Sequence, residues 1–260
     1  MVSWLIESIL PLTIILTLLL IAHTPLLERF GASSVYVSWL ILPVSLGIYS
    51  LQIDWFTNNE IFSTPVAHFI VNSNNVIKSS FQFNWLTVVW GIVSFCFFAY
   101  WFVCHILLLM RLNLKASQWD GSDSILPTRL SIYESDYIFS PMLVGLFNQK
   151  LIIPNDFTAS YTCEQQNLIL EHEICHFHRN DTYWNFVAFI FLALFWFHPL
   201  VWLAYFRFRR DQELSCDQTV LANKNVDNRI DYCKALLVAV KVPKPIAFSQ
   251  LPFKKFGDNE

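Results

Sequence analysis

The chain has 260 residues, of which 55% are hydrophobic and only 14% charged, and its mean hydropathy is +0.43. That composition is too apolar for an ordinary soluble domain and makes residence in a lipid bilayer the first expectation. Net charge is -3 and no basic stripe is interleaved with aromatics, so nothing supports direct nucleic-acid binding.

Hydrophobic residues gather into runs, each near the roughly 20 residues that a helix needs to cross a bilayer core of about 30 Å. The first runs from Ile9 to Ala22, with Trp4 to Ile6 just before it. Residues 1–8 hold no Lys or Arg, include Glu7 and lead to no small-residue cleavage site, so this run reads as a retained anchor and not as a signal peptide. The second and third runs are Val35 to Leu51 and Trp85 to Met110, which predicts three transmembrane helices within residues 1–110. Of the 17 Lys and Arg, fifteen lie from Arg111 onward, including the cluster Arg207 to Arg210, whereas Lys78 alone lies between the second and third runs. The positive-inside bias places everything after the third run in the cytoplasm and residues 52–84 outside, with Arg29 in a short inner loop.

Residues 111–260 are expected to form a second unit. The stretch Gln118 to Ser124 has linker chemistry, and three strand-like segments follow at Arg129–Ser135, Pro141–Phe147 and Lys150–Pro154, which implies a small sheet. Thr162 with Gln165 three residues on fits a capping box that opens the next helix. That helix carries His172-Glu173-Ile174-Cys175-His176. Positions i and i+4 lie one above the other on a helix, so His172 and His176 can offer two imidazoles to one ion, and Glu173 beside them can activate a water.

Two histidines leave a zinc site short of a third protein ligand, and the nearest downstream candidates are Glu213, Cys216 and Asp217. Between them, Thr182 to Phe206 is a 25-residue segment without formal charge, long enough to cross a membrane as a fourth span. His198-Pro199 interrupts it, because proline removes a backbone donor and biases its predecessor away from helix. A single span would hold the candidates some 30 Å from the histidines. A re-entrant hairpin turning at His198-Pro199 would bring Glu213 back beside them, so topology and ligation are linked.

The segments Ser140–Pro154, His172–Asp181 (HEICHFHRND), Trp196–Trp202 (WFHPLVW) and Arg209–Asp217 (RRDQELSCD), in that order behind the apolar runs, resemble the BlaR/MecR family of membrane-bound zinc metallopeptidases, which are gluzincin-like. The resemblance implies Zn2+ as cofactor, His172, His176 and Glu213 as its ligands, and Glu173 as general base. It further implies an antirepressor that cleaves itself or a protein substrate such as a cytoplasmic transcriptional repressor, with the peptidase domain on the cytoplasmic side of the cell membrane. The best-known members carry a penicillin-binding sensor marked by S-x-x-K; these residues hold no such motif, so a β-lactam signal is not implied. The expected fold class is therefore mainly α, a multi-pass membrane protein with a small α+β cytoplasmic zinc metallopeptidase domain. A homo-oligomer is left open.

Asp217 lies at i+4 from Glu213, on the same helix face, where it could accept the second N–H of a ligand histidine. Cys216 is a weaker candidate ligand, and the six cysteines read as reduced thiols. His178 points to another side of its helix, while His105 and His198 read as satisfied histidines in apolar surroundings. Arg179 with Asp181 is expected to mark the helix reaching the membrane surface. The competing readings are a housekeeping peptidase of the CAAX prenyl protease type, an intramembrane site-2 protease, which lacks its distant L-D-G motif here, and a non-catalytic membrane signalling scaffold.

Overall fold

The computed structural model describes residues 2–50, 85–112, 114–116, 127 and 129–241. The expected outer loop at 52–84, the linker chemistry at 118–124 and residues 242–260 lie outside the described residues. Among the described residues two helices are long and apolar enough to cross a membrane, Glu7–Ser38 within α1 (Val2–Ser38) and α3 (Trp85–Arg111). Much of the α3 surface is exposed and apolar, including Phe95, Phe102 and Met110.

In place of the expected first loop near Arg29, α1 makes one sharp bend and resumes as helix. Gly31 sits there at φ 79° and ψ 175°. Only glycine adopts that conformation readily, and a Cβ would also lie 2.6 Å from the Gln218 side chain. Gln218 Oε1 accepts from the amides of Ala32 (2.7 Å) and Ser33 (3.3 Å), which satisfies donors that open the second limb. The second apolar run is thereby shared between the end of α1 and α2 (Ile41–Ser50), separated by a turn at Trp39 and Leu40.

The sheet has four strands, one more than the sequence suggests: β1 (Lys115–Ala116), β2 (Ser131–Ser135), β3 (Met142–Val144) and β4 (Lys150–Pro154), in the order β1-β2-β4-β3. β2 and β4 are parallel, and both edge strands are antiparallel to their neighbours. Alternation along β4 divides its buried residues between two faces. Leu151 and Ile153 pack with Leu170, Ile174 and Ala235, whereas Ile152 packs with Val144, Ile138 and Leu112 beyond the end of α3. The sheet therefore wedges the metal-candidate helix against the end of an apolar one.

After a short α4 (Phe157–Ser160), α5 (Cys163–Arg179) opens on the expected capping box, with Thr162 Oγ1 accepting from Gln165 N and Gln165 Oε1 accepting from Thr162 N. It closes on Asn180, held in the left-handed region at φ 54°. The uncharged segment is not one helix: α6 (Asp181–Leu194) ends in a turn at 195–198, and α7 (Pro199–Leu221) starts with its proline in the first turn, where a missing N–H costs nothing. Some polar groups at the turn find partners, while Trp196 Nε1 and His198 Nδ1 are buried without one among the described residues. Trp90 Nε1 donates to Leu194 O (2.8 Å), Trp202 Nε1 donates to Trp196 O (2.7 Å), and Thr13 Oγ1 meets His198 Nε2 at 2.9 Å. Leu12 and Leu16 of α1, Leu46 of α2 and Trp39 in the turn between them bury against Leu192, Phe195, Val201 and Ala204 of the hairpin. Finally α8 (Val226–Lys241) packs against α5.

Candidate metal site

Because α7 returns toward the end of α5, Glu213 lies opposite the two histidines. His172 Nε2 and His176 Nε2 are 3.0 Å apart, and Glu213 Oε2 lies 3.5 Å from the first and 3.6 Å from the second. The three groups converge closely enough to hold one metal ion. They line a cavity of about 240 Å³ together with Glu173, Tyr232 and residues 138–143 at the edge of the sheet. Glu213 itself is 51% exposed, as an accessible site requires.

Each histidine is held from behind by its other nitrogen, which fixes the ring and directs Nε2 at the common point. His172 Nδ1 lies 2.8 Å from Tyr232 Oη, which donates to Asp217 Oδ1 at 2.6 Å; Asp217 is itself 3.2 Å from Nδ1. His176 Nδ1 lies 2.6 Å from Asp181 Oδ2. Asp217 thus stands where its i+4 spacing from Glu213 suggests.

The charges are strongly coupled. Burial disfavours protonation of His172, yet its bonds to Asp217 and Glu213 outweigh this and raise its pKa to about 9. Burial likewise opposes protonation of His176, and Asp181 with Glu213 raises its pKa to about 10. Removal from water works against the Glu213 carboxylate, but the two imidazoles hold it well below the usual range. Burial first, and then the Asp217 charge, push the Tyr232 phenol upward.

Two residues escape sequence reasoning. Tyr232 belongs to no motif and reaches His172 only because α8 folds back on α5. Asp181, expected with Arg179 at the membrane surface, is instead 2% exposed and serves His176 from the first turn of α6, with Arg179 3.0 Å away. Its spacing of five from His176 spans the left-handed cap at Asn180, which helical periodicity cannot anticipate. Cys216 stands on the Nδ1 side of His176, at 3.4 Å, and groups with His176 and Asp181 and not with Glu213; its Sγ is 3.1 Å from Cys175. His178 is exposed, His105 stacks on Trp101 and His198 bonds Thr13.

Paired histidines one helical turn apart, a carboxylate from a second helix and an adjoining glutamate in an open cavity are the parts of a metallopeptidase centre. The chain belongs to the family described as BlaR1 peptidase M56, whose model matches residues 3–251. It is 27% identical over 109 residues to the Regulatory protein BlaR1 of Bacillus licheniformis, a match covering 42% of this chain and 18% of that protein. Methicillin resistance mecR1 proteins of Staphylococcus aureus and Staphylococcus epidermidis are 27% identical over 108 residues, covering 42% of this chain and 18% of theirs. The aligned stretch is thus a small part of each relative's length.

Proposed function

We propose that the protein is a membrane-embedded zinc metalloendopeptidase acting in regulated proteolysis and signal transduction, which cleaves itself or a cytoplasmic regulator such as a transcriptional repressor. The observation that carries this reading is the convergence of His172, His176 and Glu213 on one point within a cavity that Glu173 also lines. The donor set suits zinc in particular. Zinc bonds of about 2.0–2.2 Å in a tetrahedron place ligand atoms about 3.3–3.6 Å apart, close to the separations of 3.0, 3.5 and 3.6 Å found here.

In this reading His172, His176 and Glu213 hold the ion, and Asp217 with Tyr232 on one side and Asp181 on the other orient the imidazoles. When bound, zinc supplies a Lewis acid for the scissile carbonyl and the attacking water. Glu173 accepts the water's proton on its carboxylate and delivers it to the leaving amine nitrogen. The substrate is a polypeptide in extended form: β3 is an edge strand whose Met142 and Leu143 line the cavity, so a substrate segment can add to it as a further strand. The protein sits in the cell membrane as a multi-pass chain, with this domain on the cytoplasmic side.

Zinc content and self-cleavage of the purified protein, measured beside Glu173→Gln, test the proposal. About one zinc per chain is expected in both, with cleavage abolished in the variant, since only the base is removed. Cleavage unchanged in Glu173→Gln would refute the mechanism, and a wild-type protein without zinc would refute the metal reading.

A further inference from the structure

The two histidines are oriented by different parts of the chain. His172 is held by Asp217 and Tyr232, from α7 and α8. His176 is held by Asp181, and Asp181 is held by the first apolar helix. Tyr36, in the limb of α1 beyond Gly31, donates its hydroxyl to Asp181 Oδ1 at 2.7 Å, while Oδ2 of the same carboxylate lies 2.6 Å from His176 Nδ1. Arg179 braces the arrangement from below, with its Nε 3.2 Å from Oδ1, one terminal nitrogen 3.0 Å from Oδ2 and its guanidinium 4.0 Å above the Tyr36 ring. Both oxygens of this buried carboxylate are engaged, and the phenol, which makes the shortest bond to Oδ1, helps Arg179 to fix the angle at which Oδ2 meets the imidazole.

Other polar ties between α1 and the domain fall around the same place. Asp211, two residues before Glu213, is 2.8 Å from both His23 Nε2 and Trp39 Nε1. Ser215, two residues after it, donates to Ser33 Oγ at 3.1 Å, and Gln218 caps the resumed helix. A charged group within an apolar helical layer is costly unless it is paired, and such pairs mark functional contacts more often than structural ones.

We infer that Tyr36 is a positioning residue of the metal site, acting through Asp181 on His176. This rests on the metallopeptidase reading. It is tested by zinc affinity, from competition with a chromophoric chelator, in the full-length protein held in lipid nanodiscs. Loss of a hydrogen-bond partner behind a ligand histidine typically costs 10–100-fold in metal affinity, so Asp181→Asn should weaken binding by about that factor and Tyr36→Phe by roughly 10-fold. In the Asp181→Asn background, adding Tyr36→Phe should change affinity by less than about 2-fold, because its route is already cut.

Phenylalanine keeps the ring against Arg179 and Phe208, so the variant should fold. Thr13→Val removes another polar tie of α1, that to His198 at the start of α7, and should leave affinity as in the wild type. An unchanged affinity in Tyr36→Phe, a loss of equal size in both backgrounds, or an equal loss in Thr13→Val would each overturn the inference. A wild-type protein that binds no zinc would instead overturn the metal reading on which it depends.

Discussion

His172 and His176 are surrounded by carboxylates in a way that has a measurable consequence when metal binds. Their pKa values are raised to about 9 and about 10 in the metal-free protein, through Asp217 and Asp181 behind them and Glu213 in front, despite burial. A raised histidine pKa means that protonation persists further up the pH scale than for a free imidazole, and with the two Nε2 atoms 3.0 Å apart one proton is shared between the facing rings. Zinc accepts only a deprotonated Nε2, and occupation of the site must therefore displace the shared proton, about one per chain. Calorimetric titration of the metal-free protein in buffers of different ionisation enthalpy should give a slope near one at pH 7.5, falling at higher pH; a slope near zero at pH 7.5 would contradict the coupling described. Of the groups responsible, His172 and His176 are legible in the sequence from helical spacing and Asp217 from its i+4 distance to Glu213, whereas Glu213 is singled out among Glu213, Cys216 and Asp217 only by the family resemblance. Tyr232 and Asp181 are not legible, because one arrives by the return of α8 and the other by a left-handed cap that breaks the helical period.

Elements follow the same division between local and long-range causes. The capping box of α5, the strands β2 to β4 and the turn at His198-Pro199 are readable because each is specified by residues a few positions apart. The two-residue β1 has no pattern of its own and exists only as a partner to β2. The bend of α1 is a long-range feature as well: Gly31 shows merely as a glycine in sequence, whereas its conformation depends on Gln218, almost two hundred residues away, capping the amides that follow. Substitution there meets two penalties, a backbone region closed to side chains and a Cβ 2.6 Å from Gln218 Nε2. Gln218 could swing aside, but only by abandoning its 2.7 Å bond to Ala32 N. Gly31→Ala should therefore destabilise the protein by about 1–3 kcal/mol, read as a lower thermal midpoint in detergent. An unchanged midpoint would mean that the bend is not as tightly determined as its geometry implies.

For the whole molecule the decisive relation is between the hairpin and the two sides of a membrane. α6, at 14 residues, spans about 21 Å and α7 returns along it, so residues flanking the hairpin emerge at one level. The gathering of fifteen of the 17 Lys and Arg from Arg111 onward is the basis for proposing that this level is the inner side. Topology can be tested at two exposed positions beside the hairpin, Asn180 and Arg210. Asp211 would be a poor reporter, since it is buried against His23 and Trp39. In a background without the six native cysteines, Asn180→Cys and Arg210→Cys should both be shielded from an impermeant maleimide added to intact cells, and both react once the membrane is opened. Labelling of both from outside would keep the hairpin and move the peptidase domain to the other face of the membrane, where a cytoplasmic repressor could not reach it. Labelling at 210 alone would be incompatible with Glu213 meeting His172 and His176 at one metal ion.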